Sequence, residues 1–200
     1  HLRRREFAEA EKIYNQAKTT QPNNSDVQLG LAASAAGQGQ LAAAIKILES
    51  IEPRARTPRV VLALADYYLR ANQPTNASAL LVAIVERAPN YRPARMLLGR
   101  AYLLGNRPQL AVIQFEELRK QMPRDASVQF HLAQAYARAG RSREALALLE
   151  AVAKPLDKVP VFHFERSRVL LAVGRPEDAY KAASAAQALA PQAAQAYLLM

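Results

Sequence analysis

The sequence predicts an all-α fold, an α-solenoid made of stacked antiparallel helix-turn-helix repeats. Small residues recur at intervals of 33 or 34 residues along almost the whole chain. Each interval contains two amphipathic patterns with the spacing of an α-helix, separated by a short turn. A pair of short helices cannot bury its apolar side alone, so consecutive pairs must stack on one another.

The clearest repeat occupies residues 92–125. Each of its two helix patterns carries three packing residues on one face: Leu98, Gly99 and Tyr102 in the first, and Ala111, Phe115 and Leu118 in the second. Pro108 suits the first turn of the second helix, because the N–H that proline lacks would have no partner there. Gly99 and Ala111 have almost no side chain, so we expect the two helix backbones to approach closely.

The same pattern recurs in register along the chain. The alanine that opens the second helix is found at Ala10, Ala44, Ala77, Ala111, Ala145 and Ala179. The small residue of the first helix is found at Ala32, Ala65, Gly99, Ala133 and Ser167. Closing prolines are found at Pro22, Pro89, Pro123 and Pro191. The chain therefore divides into a half repeat at 1–24, repeats at 25–57, 58–91, 92–125, 126–159 and 160–193, and the start of a further repeat at 194–200.

A 34-residue helix-turn-helix period with this skeleton of small residues resembles the tetratricopeptide repeat (TPR) family, over essentially the whole chain. The resemblance implies a right-handed α-solenoid whose first helices line a concave groove for extended or helical segments of other proteins. Neither end carries a polar capping helix, so we expect the chain to be an internal piece of a longer array. Self-association through the uncapped ends is a further expectation.

Two repeats depart from the pattern. The repeat at 25–57 has no closing proline, and Pro53 and Pro58 bracket a basic loop instead. In the repeat at 126–159, Lys-Pro-Leu-Asp at 154–157 replaces the last helical turn. We therefore expect its second helix to end early and the curvature of the array to change near this segment.

The last repeat carries His163 and Arg166 where earlier repeats carry packing residues, which predicts weaker packing. No catalytic or metal-binding pattern is visible. The histidines His1, His131 and His163 have no carboxylates at ligand spacing and are interpreted as polar helix residues. Glu116 and Glu117 are expected on a solvated helix face. We predict a protein that is not an enzyme and has no metal, cofactor or small-molecule substrate.

The composition leaves several partners open. The chain has no cysteine and a net charge of +10. An excess of this size can attract nucleic acid, anionic lipid or acidic proteins, but much of it lies in turns and favours scattered solvated charge. The longest apolar run, residues 79–85, is too short to span a membrane.

The TPR resemblance implies that one face of each first helix lines the groove. On this sequence that face comprises Leu62, Asp66, Arg70, Met96, Arg100, Leu103, Phe130, Gln134, Arg138, Phe164, Arg168 and Leu171. The series Leu62, Met96, Phe130 and Phe164 would be an apolar floor. The series Asp66, Arg100, Gln134 and Arg168 would be a ladder one turn further on. Large apolar residues on an open face ordinarily mark an interaction site.

A simpler interpretation stays open for each of these residues. The apolar members would pack against neighbouring first helices, and the arginines would only be solvated. As a series they predict a protein partner that is partly apolar and partly acidic, because guanidinium groups pair bidentately with carboxylates. The arginines on this face outnumber its two carboxylates, Asp66 and Glu165.

Two known groove types of the family are missing. Chaperone-linked TPR proteins clamp a C-terminal carboxylate with lysine and asparagine, and the matching positions here hold Leu62, Asp66, Met96 and Arg100. The nucleocytoplasmic GlcNAc transferase has an asparagine ladder, and the matching positions here hold Gly30, Ala63, Leu97, His131 and Glu165.

The leading functional prediction is a protein-interaction scaffold. Arginine outnumbers lysine 20 to 7, and with abundant alanine this is similar to the long TPR arrays of Gram-negative bacteria, including periplasmic scaffolds for exopolysaccharide synthesis and export. That similarity favours the periplasm over the cytoplasm. The alternative is a nucleic-acid-binding helical repeat that uses its basic surface, although Phe130 and Phe164 would be its only groove aromatics for stacking.

Overall fold

A computed structural model describes the backbone of residues 2–191 and, from Glu6 onward, the side chains. His1 and the predicted further repeat at 194–200 lie outside the described residues. Within them every regular element is helical. The helices are α1 (Leu2–Thr20), α2 (Ser25–Gly37), α3 (Leu41–Glu49), α4 (Pro58–Arg70), α5 (Pro74–Arg87), α6 (Arg92–Leu104), α7 (Pro108–Gln121), α8 (Ala126–Arg138), α9 (Ser142–Ala151), α10 (Ala153–Leu156), α11 (Pro160–Ala172) and α12 (Pro176–Leu189), with a 3₁₀ turn at Pro53–Ala55. The prediction of an all-α helical repeat fold is confirmed.

Local sequence explains where the helices begin. The side chains of Asn24, Thr57 and Asp125 each accept a hydrogen bond from a backbone N–H in the first turn of α2, α4 and α8. Proline stands at the first or second position of five others, and Pro108 begins α7 as predicted. The first helices α2, α4, α6, α8 and α11 are each 13 residues long.

The turn inside each hairpin contains one residue with positive φ. These residues are Gly39, Asn72, Asn106, Gly140 and Gly174, again at intervals of 33 or 34. Glycine and asparagine tolerate this left-handed backbone. The following N–H then reaches back to the carbonyl five residues earlier, as from Arg141 N to Tyr136 O over 2.8 Å.

The small residues of the repeat are buried, which confirms the packing register. Buried members of the two series are Ala32, Ala44, Ala65, Ala77, Gly99, Ala111, Ala133, Ala145, Ser167 and Ala179. The described residues group into two compact units, the first ending at Gly105 and the second beginning at Asn106, in the turn between α6 and α7. In the first unit, neighbouring first helices touch, α2 with α4 and α4 with α6. In the second unit, α8 touches α11.

Both predicted departures from the pattern alter a second helix. Helix α9 has 10 residues, against 14 in α5, α7 and α12, so its early end is confirmed. A change of curvature there stays a prediction. Helix α3 is shorter still, with 9 residues, and the Pro53–Ala55 turn follows it.

A polar side chain in the first turn of four first helices ties down the preceding inter-repeat turn. Each bonds the backbone carbonyl six residues earlier: Gln28 to Pro22, Arg95 to Pro89, Gln129 to Pro123 and His163 to Asp157. We call these contacts the turn locks. They account for a buried arginine and a buried histidine at positions that otherwise suggest apolar packing.

The last repeat is packed more tightly than predicted. His163 is buried, with Nε2 2.6 Å from the carbonyl oxygen of Asp157. Phe162 and Leu170 are also buried. The prediction of weak packing is therefore wrong for His163, because the ring serves as a turn lock. Both residues carry a cost, since Arg166 Nε and His163 Nδ1 are buried without a hydrogen-bond partner.

Candidate functional site

An open groove in the first unit is bounded by α1, α2 and α4. Its volume is about 650 Å³, and we call it the α2–α4 groove. Its lining residues are Tyr14, Asp26, Val27, Leu29, Gly30, Ala33, Arg59, Leu62, Ala63 and Tyr67. Of the twelve predicted groove residues, Leu62 is the one that lines it.

The absence of a side chain at Gly30 shapes this groove. A Cβ built on Gly30 would overlap the ring of Tyr14, so the ring lies directly over the α2 backbone. Gly37 receives the ring of Phe7 in the same way. The two glycines thus let α1 pack closely on α2 and leave Tyr14 as one wall of the groove.

The mouth of the α2–α4 groove carries one ion pair. Arg59 Nη1 lies 3.2 Å from Asp26 Oδ1, and both side chains are about three-quarters exposed. A pair this exposed contributes little to stability, roughly 0–1 kcal/mol. A carboxylate from a partner can therefore compete for Arg59 at small cost.

The predicted ladder residues of the first unit pair with each other. Arg100 Nη1 on α6 lies 3.7 Å from Asp66 Oδ1 on α4, one repeat away. Arg70 is exposed, and its guanidinium carbon lies 5.6 Å from the centre of the Tyr67 ring. Leu62 and Met96 are half-buried on the same helices.

Both ladder residues of the second unit contact the same carboxylate, that of Glu165. Gln134 Nε2 donates to Glu165 Oε1 over 3.3 Å, and Arg168 Nη2 lies 2.7 Å from Glu165 Oε2. Glu165 is buried, so these two contacts satisfy a carboxylate that would otherwise be costly to bury. The nucleic-acid alternative gains no support here, because Arg100 and Arg168 both face carboxylates.

Two predicted groove residues are buried and offer almost no surface to a partner. Phe130 is 8% exposed and packs against Phe162, with ring centres 6.2 Å apart. Leu103 is 7% exposed. Their burial favours the simpler packing interpretation for these two. Six of the others are half-buried, namely Leu62, Asp66, Met96, Arg100, Gln134 and Phe164; Arg70, Arg138, Arg168 and Leu171 are at least partly exposed.

Glu116 is not the freely solvated carboxylate that the sequence predicts. Its Oε1 accepts a hydrogen bond from the Tyr136 hydroxyl over 2.6 Å, and Arg141 Nη1 lies 3.9 Å away. Burial, together with this hydrogen bond to Glu116, raises the pKa of Tyr136. A parallel contact joins Tyr68 to Glu49, where burial and the hydrogen bond raise the pKa of Tyr68 to about 12.

Sequence reasoning missed Tyr14, Asp26 and Arg59 as groove residues. The sequence did contain one indication of this groove: Tyr14 is a large aromatic residue on α1, and Gly30 on α2 leaves room for its ring. The described residues contain no group of three or more His, Cys, Asp or Glu side chains that could hold a metal ion. None of the helices between residues 2 and 191 is both long and apolar enough to cross a bilayer.

Comparison with protein families agrees with the repeat pattern. A family profile described as "Tetratricopeptide repeat" matches residues 1–67. A second profile with the same description matches residues 62–120 and 114–160. The comparison with curated protein sequences gave no match.

Solved structures share the fold. A thermophilic TPR protein of Thermus thermophilus is 22% identical, with a TM-score of 0.68 over 88% of this chain and 100% of that chain. MamA of Desulfovibrio magneticus is 13% identical, with a TM-score of 0.70 over 82% and 93%. A chain of the APC/C hetero-tetramer Cut9-Hcn1 is 18% identical, with a TM-score of 0.79 over 96% and 39%. At these identities the similarity concerns the fold alone.

Proposed function

This chain belongs to the tetratricopeptide repeat family, and from that premise we propose that it is a non-catalytic scaffold that holds a segment of a partner protein against its first helices. Tetratricopeptide repeat domains bind protein partners, and proteins of this family are typically not catalysts. One structural relative is described as part of a hetero-tetramer, which supports a role in assembly.

The α2–α4 groove is the observation that carries this proposal. Its lining is mostly apolar and includes Leu29, Ala33 and Leu62, together with the aromatic residues Tyr14 and Tyr67. Its volume of about 650 Å³ is large enough for several side chains of a bound segment. Because the lining is open and mostly apolar, a partner gains free energy by covering it.

The charges beside the groove favour a partner that is also acidic. Arg59, which lines the groove, is held by Asp26 in an ion pair that is largely solvated. Arg100 on the next first helix is held by Asp66 in a pair that is half-buried. Such pairs are weak, so a partner carboxylate can engage either guanidinium group in a bidentate contact. The proposed segment therefore places apolar side chains on Leu62 and acidic side chains toward the arginines.

The second unit would offer a contact surface made of residues of its own. We assign this role to Gln134, Arg138, Phe164, Arg168 and Leu171, all at least partly exposed. Leu171 is 59% exposed, so its side chain is available for a contact with another protein. Phe130 would support this face of the second unit from below, and Leu103 would support the first helices of its own unit.

Site-specific photo-crosslinking tests the proposal. A photoreactive amino acid at Ala33, an exposed residue of the groove, should join the protein to a discrete partner in cells that produce it. The matched control is the exposed Ala42 on α3, outside this groove. Equal crosslinking from both positions would contradict the assignment.

Affinity measurements with the captured partner then test the chemistry. Ala33→Glu should weaken binding at least about tenfold, because it places a charge in the apolar lining. Reversing the charge of Arg100 and Arg168 together should also weaken binding. Unchanged affinity of the doubly reversed variant would exclude the acidic character of the partner.

We also propose a narrower role, from composition and analogy with the family. The excess of arginine over lysine supports a scaffold that assembles an envelope complex for exopolysaccharide synthesis or export in a Gram-negative periplasm. Cell fractionation of the native protein tests this: recovery in the periplasm supports it, and recovery in the cytoplasm excludes it. Sedimentation of the purified protein would separately measure self-association through its ends.

A further inference from the structure

A second groove in the first unit shares no lining residue with the α2–α4 groove. It lies between α5, the start of α4 and the turn before α4, and its volume is about 680 Å³. We call it the α4–α5 groove. Its apolar side chains include Val61, Leu80 and Ile84, and its charged ones are Arg56 and Arg87.

This groove lies where the repeat pattern is broken. Helix α3 ends at Glu49 after 9 residues, whereas α5 has 14, so α3 is about 7.5 Å shorter than a regular second helix. The Pro53–Ala55 turn replaces the missing helical end. Pro53 and Pro58, which bracket this turn in the sequence, both line the groove.

The turn lock is also absent at this junction. Four first helices place a nitrogen donor at the locking position, but α4 places Val61 there, which cannot donate. Arg56 secures the turn instead, with Nε donating to Ile51 O and Nη2 to Glu49 O, each over 2.9 Å. The other junctions between repeats contain a turn lock, which is a polar contact. The junction before α4 has an apolar surface instead, with Arg56 held at its edge.

The surface of α5 in this groove has a shape against which a second helix can pack. Leu80 and Ile84 form a ridge at a spacing of four residues, and the exposed Ala79, Ala83 and Ala88 lie beside it. Small residues beside a ridge let a second helix approach to roughly 8–10 Å between axes. From Ala79 to Ala88 the groove follows α5 for about 14 Å, or two to three helical turns.

The charge in the groove selects among helices. Its lining includes Arg56 and Arg87 and no carboxylate. Arg56 is held in place by its two backbone contacts, so little side-chain entropy is lost when it meets an anion. A basic edge on an apolar floor complements an amphipathic helix with acidic residues beside its apolar face.

We propose that the α4–α5 groove is a second docking site, which binds an acidic amphipathic helix of a partner protein. The apolar face of that helix lies on Leu80 and Ile84, and its carboxylates face Arg56 and Arg87. The site shares no lining residue with the α2–α4 groove, so the scaffold holds two different segments at once.

A labelled peptide tests the site. The probe is a helical peptide of about four turns, with leucine at every third or fourth position and glutamate beside each leucine. Fluorescence anisotropy measures its affinity for the whole chain. A second peptide with lysine in place of each glutamate should bind at least about tenfold more weakly.

Two variants of the chain locate the binding. Ala83→Glu introduces a carboxylate on the exposed floor and keeps good helix propensity, and Arg87→Glu reverses the charge of the edge. Each should weaken binding of the acidic peptide about tenfold or more. Ala33→Glu, in the α2–α4 groove, is the matched control and should leave it unchanged. Circular dichroism checks that each variant is folded.

Several outcomes would overturn the proposal. Equal affinity for the two peptides would show that the groove does not prefer an acidic helix. If both Ala83→Glu and Arg87→Glu bind the acidic peptide as tightly as the unmodified chain does, the peptide does not bind in the α4–α5 groove. If Ala33→Glu loses binding instead, the peptide binds in the α2–α4 groove. If the chain dimerises in sedimentation equilibrium and Ala83→Glu is monomeric, the occupant is a second copy of this chain.

Discussion

The hydroxyl of Tyr136 on α8 donates a hydrogen bond of 2.6 Å to the Glu116 carboxylate on α7, and the guanidinium carbon of Arg141 lies 4.0 Å from the centre of the Tyr136 ring. Glu116 and Tyr136 lie on consecutive helices of the second unit, and Arg141 directly precedes the next one. They join one repeat to the next through polar contacts at the edge of an otherwise apolar interface. Tyr68 and Glu49 form the same kind of joint in the first unit.

Replacing Tyr136 by phenylalanine should lower the free energy of unfolding by about 1 kcal/mol, measured by urea denaturation. The loss is moderate because Glu116 is partly exposed and can be hydrated when the hydroxyl is gone. Tyr102→Phe is the matched control. It removes a hydroxyl at the equivalent repeat position, where no hydrogen bond of the side chain is found, and should change the free energy by less than about 0.5 kcal/mol. Equal losses in both variants would contradict the proposed joint.

Tyr68 should make the protein less stable in alkaline solution. Its pKa is raised from 10.0 to about 12, first by burial and then by its hydrogen bond to Glu49. The unfolded chain therefore loses this proton at a lower pH than the folded chain does. The contribution of Tyr68 to stability is complete below pH 10.0 and is lost as the pH rises toward 12. Urea denaturation across this range should show a smaller decline for Tyr68→Phe than for the unmodified protein.

Gly30→Ala should destabilise the protein by about 1–2 kcal/mol, because the new methyl group displaces the Tyr14 ring. The sign should reverse once that ring is removed. In a Tyr14→Ala background, Gly30→Ala should stabilise by roughly 0.5–1 kcal/mol, since alanine is the better helix residue. Thermal and urea unfolding of the four chains measure the coupling. If Gly30→Ala has the same effect in both backgrounds, the ring does not rest on this glycine.

The repeat fold was largely predictable because its determinants are local. A buried small residue such as Ala65 or Ala133 marks the contact between helices, and a proline or a capping side chain marks where a helix begins. Neighbouring repeats then pack in the only way that covers their apolar faces. The early end of α9 was predictable for the same reason, since Pro155 interrupts the helical pattern of one short segment.

The site was less predictable, because its exposure depends on neighbours in the next repeat. Phe130 and Phe164 hold equivalent repeat positions, yet Phe130 is buried against Phe162 while Phe164 is partly open. The periodic pattern assigns both to one face and does not show what covers each. In the same way, Asp66 and Arg100 were predicted as separate rungs but form one ion pair.

The turn lock at Gln129 should prove necessary for its turn. Gln129→Glu replaces the donor by a carboxylate that faces the carbonyl oxygen of Pro123, so we expect a loss of about 1–2 kcal/mol in urea denaturation. Gln129→Met keeps the size without the donor and should cost less. Hydrogen exchange should speed up in residues 123–128 in both variants. An unchanged exchange rate there would show that the turn is held by other contacts.

The two arginine pairs of the predicted groove should differ in strength. Arg168→Glu places a second carboxylate beside Glu165, whose side chain is 9% exposed. We expect a loss of about 1–2 kcal/mol, less than for a fully buried pair because Arg168 itself is half exposed. Arg100→Glu faces the solvated Asp66 and should cost under about 1 kcal/mol.

Urea denaturation at low and high salt separates these two effects. Added salt should nearly abolish the cost of Arg100→Glu, because water and ions reach both of its carboxylates. The cost of Arg168→Glu should persist, since Glu165 lies out of reach of most ions. If both costs vanish with salt, Glu165 is hydrated in solution. Arg168 would then be as available to an acidic partner as Arg100.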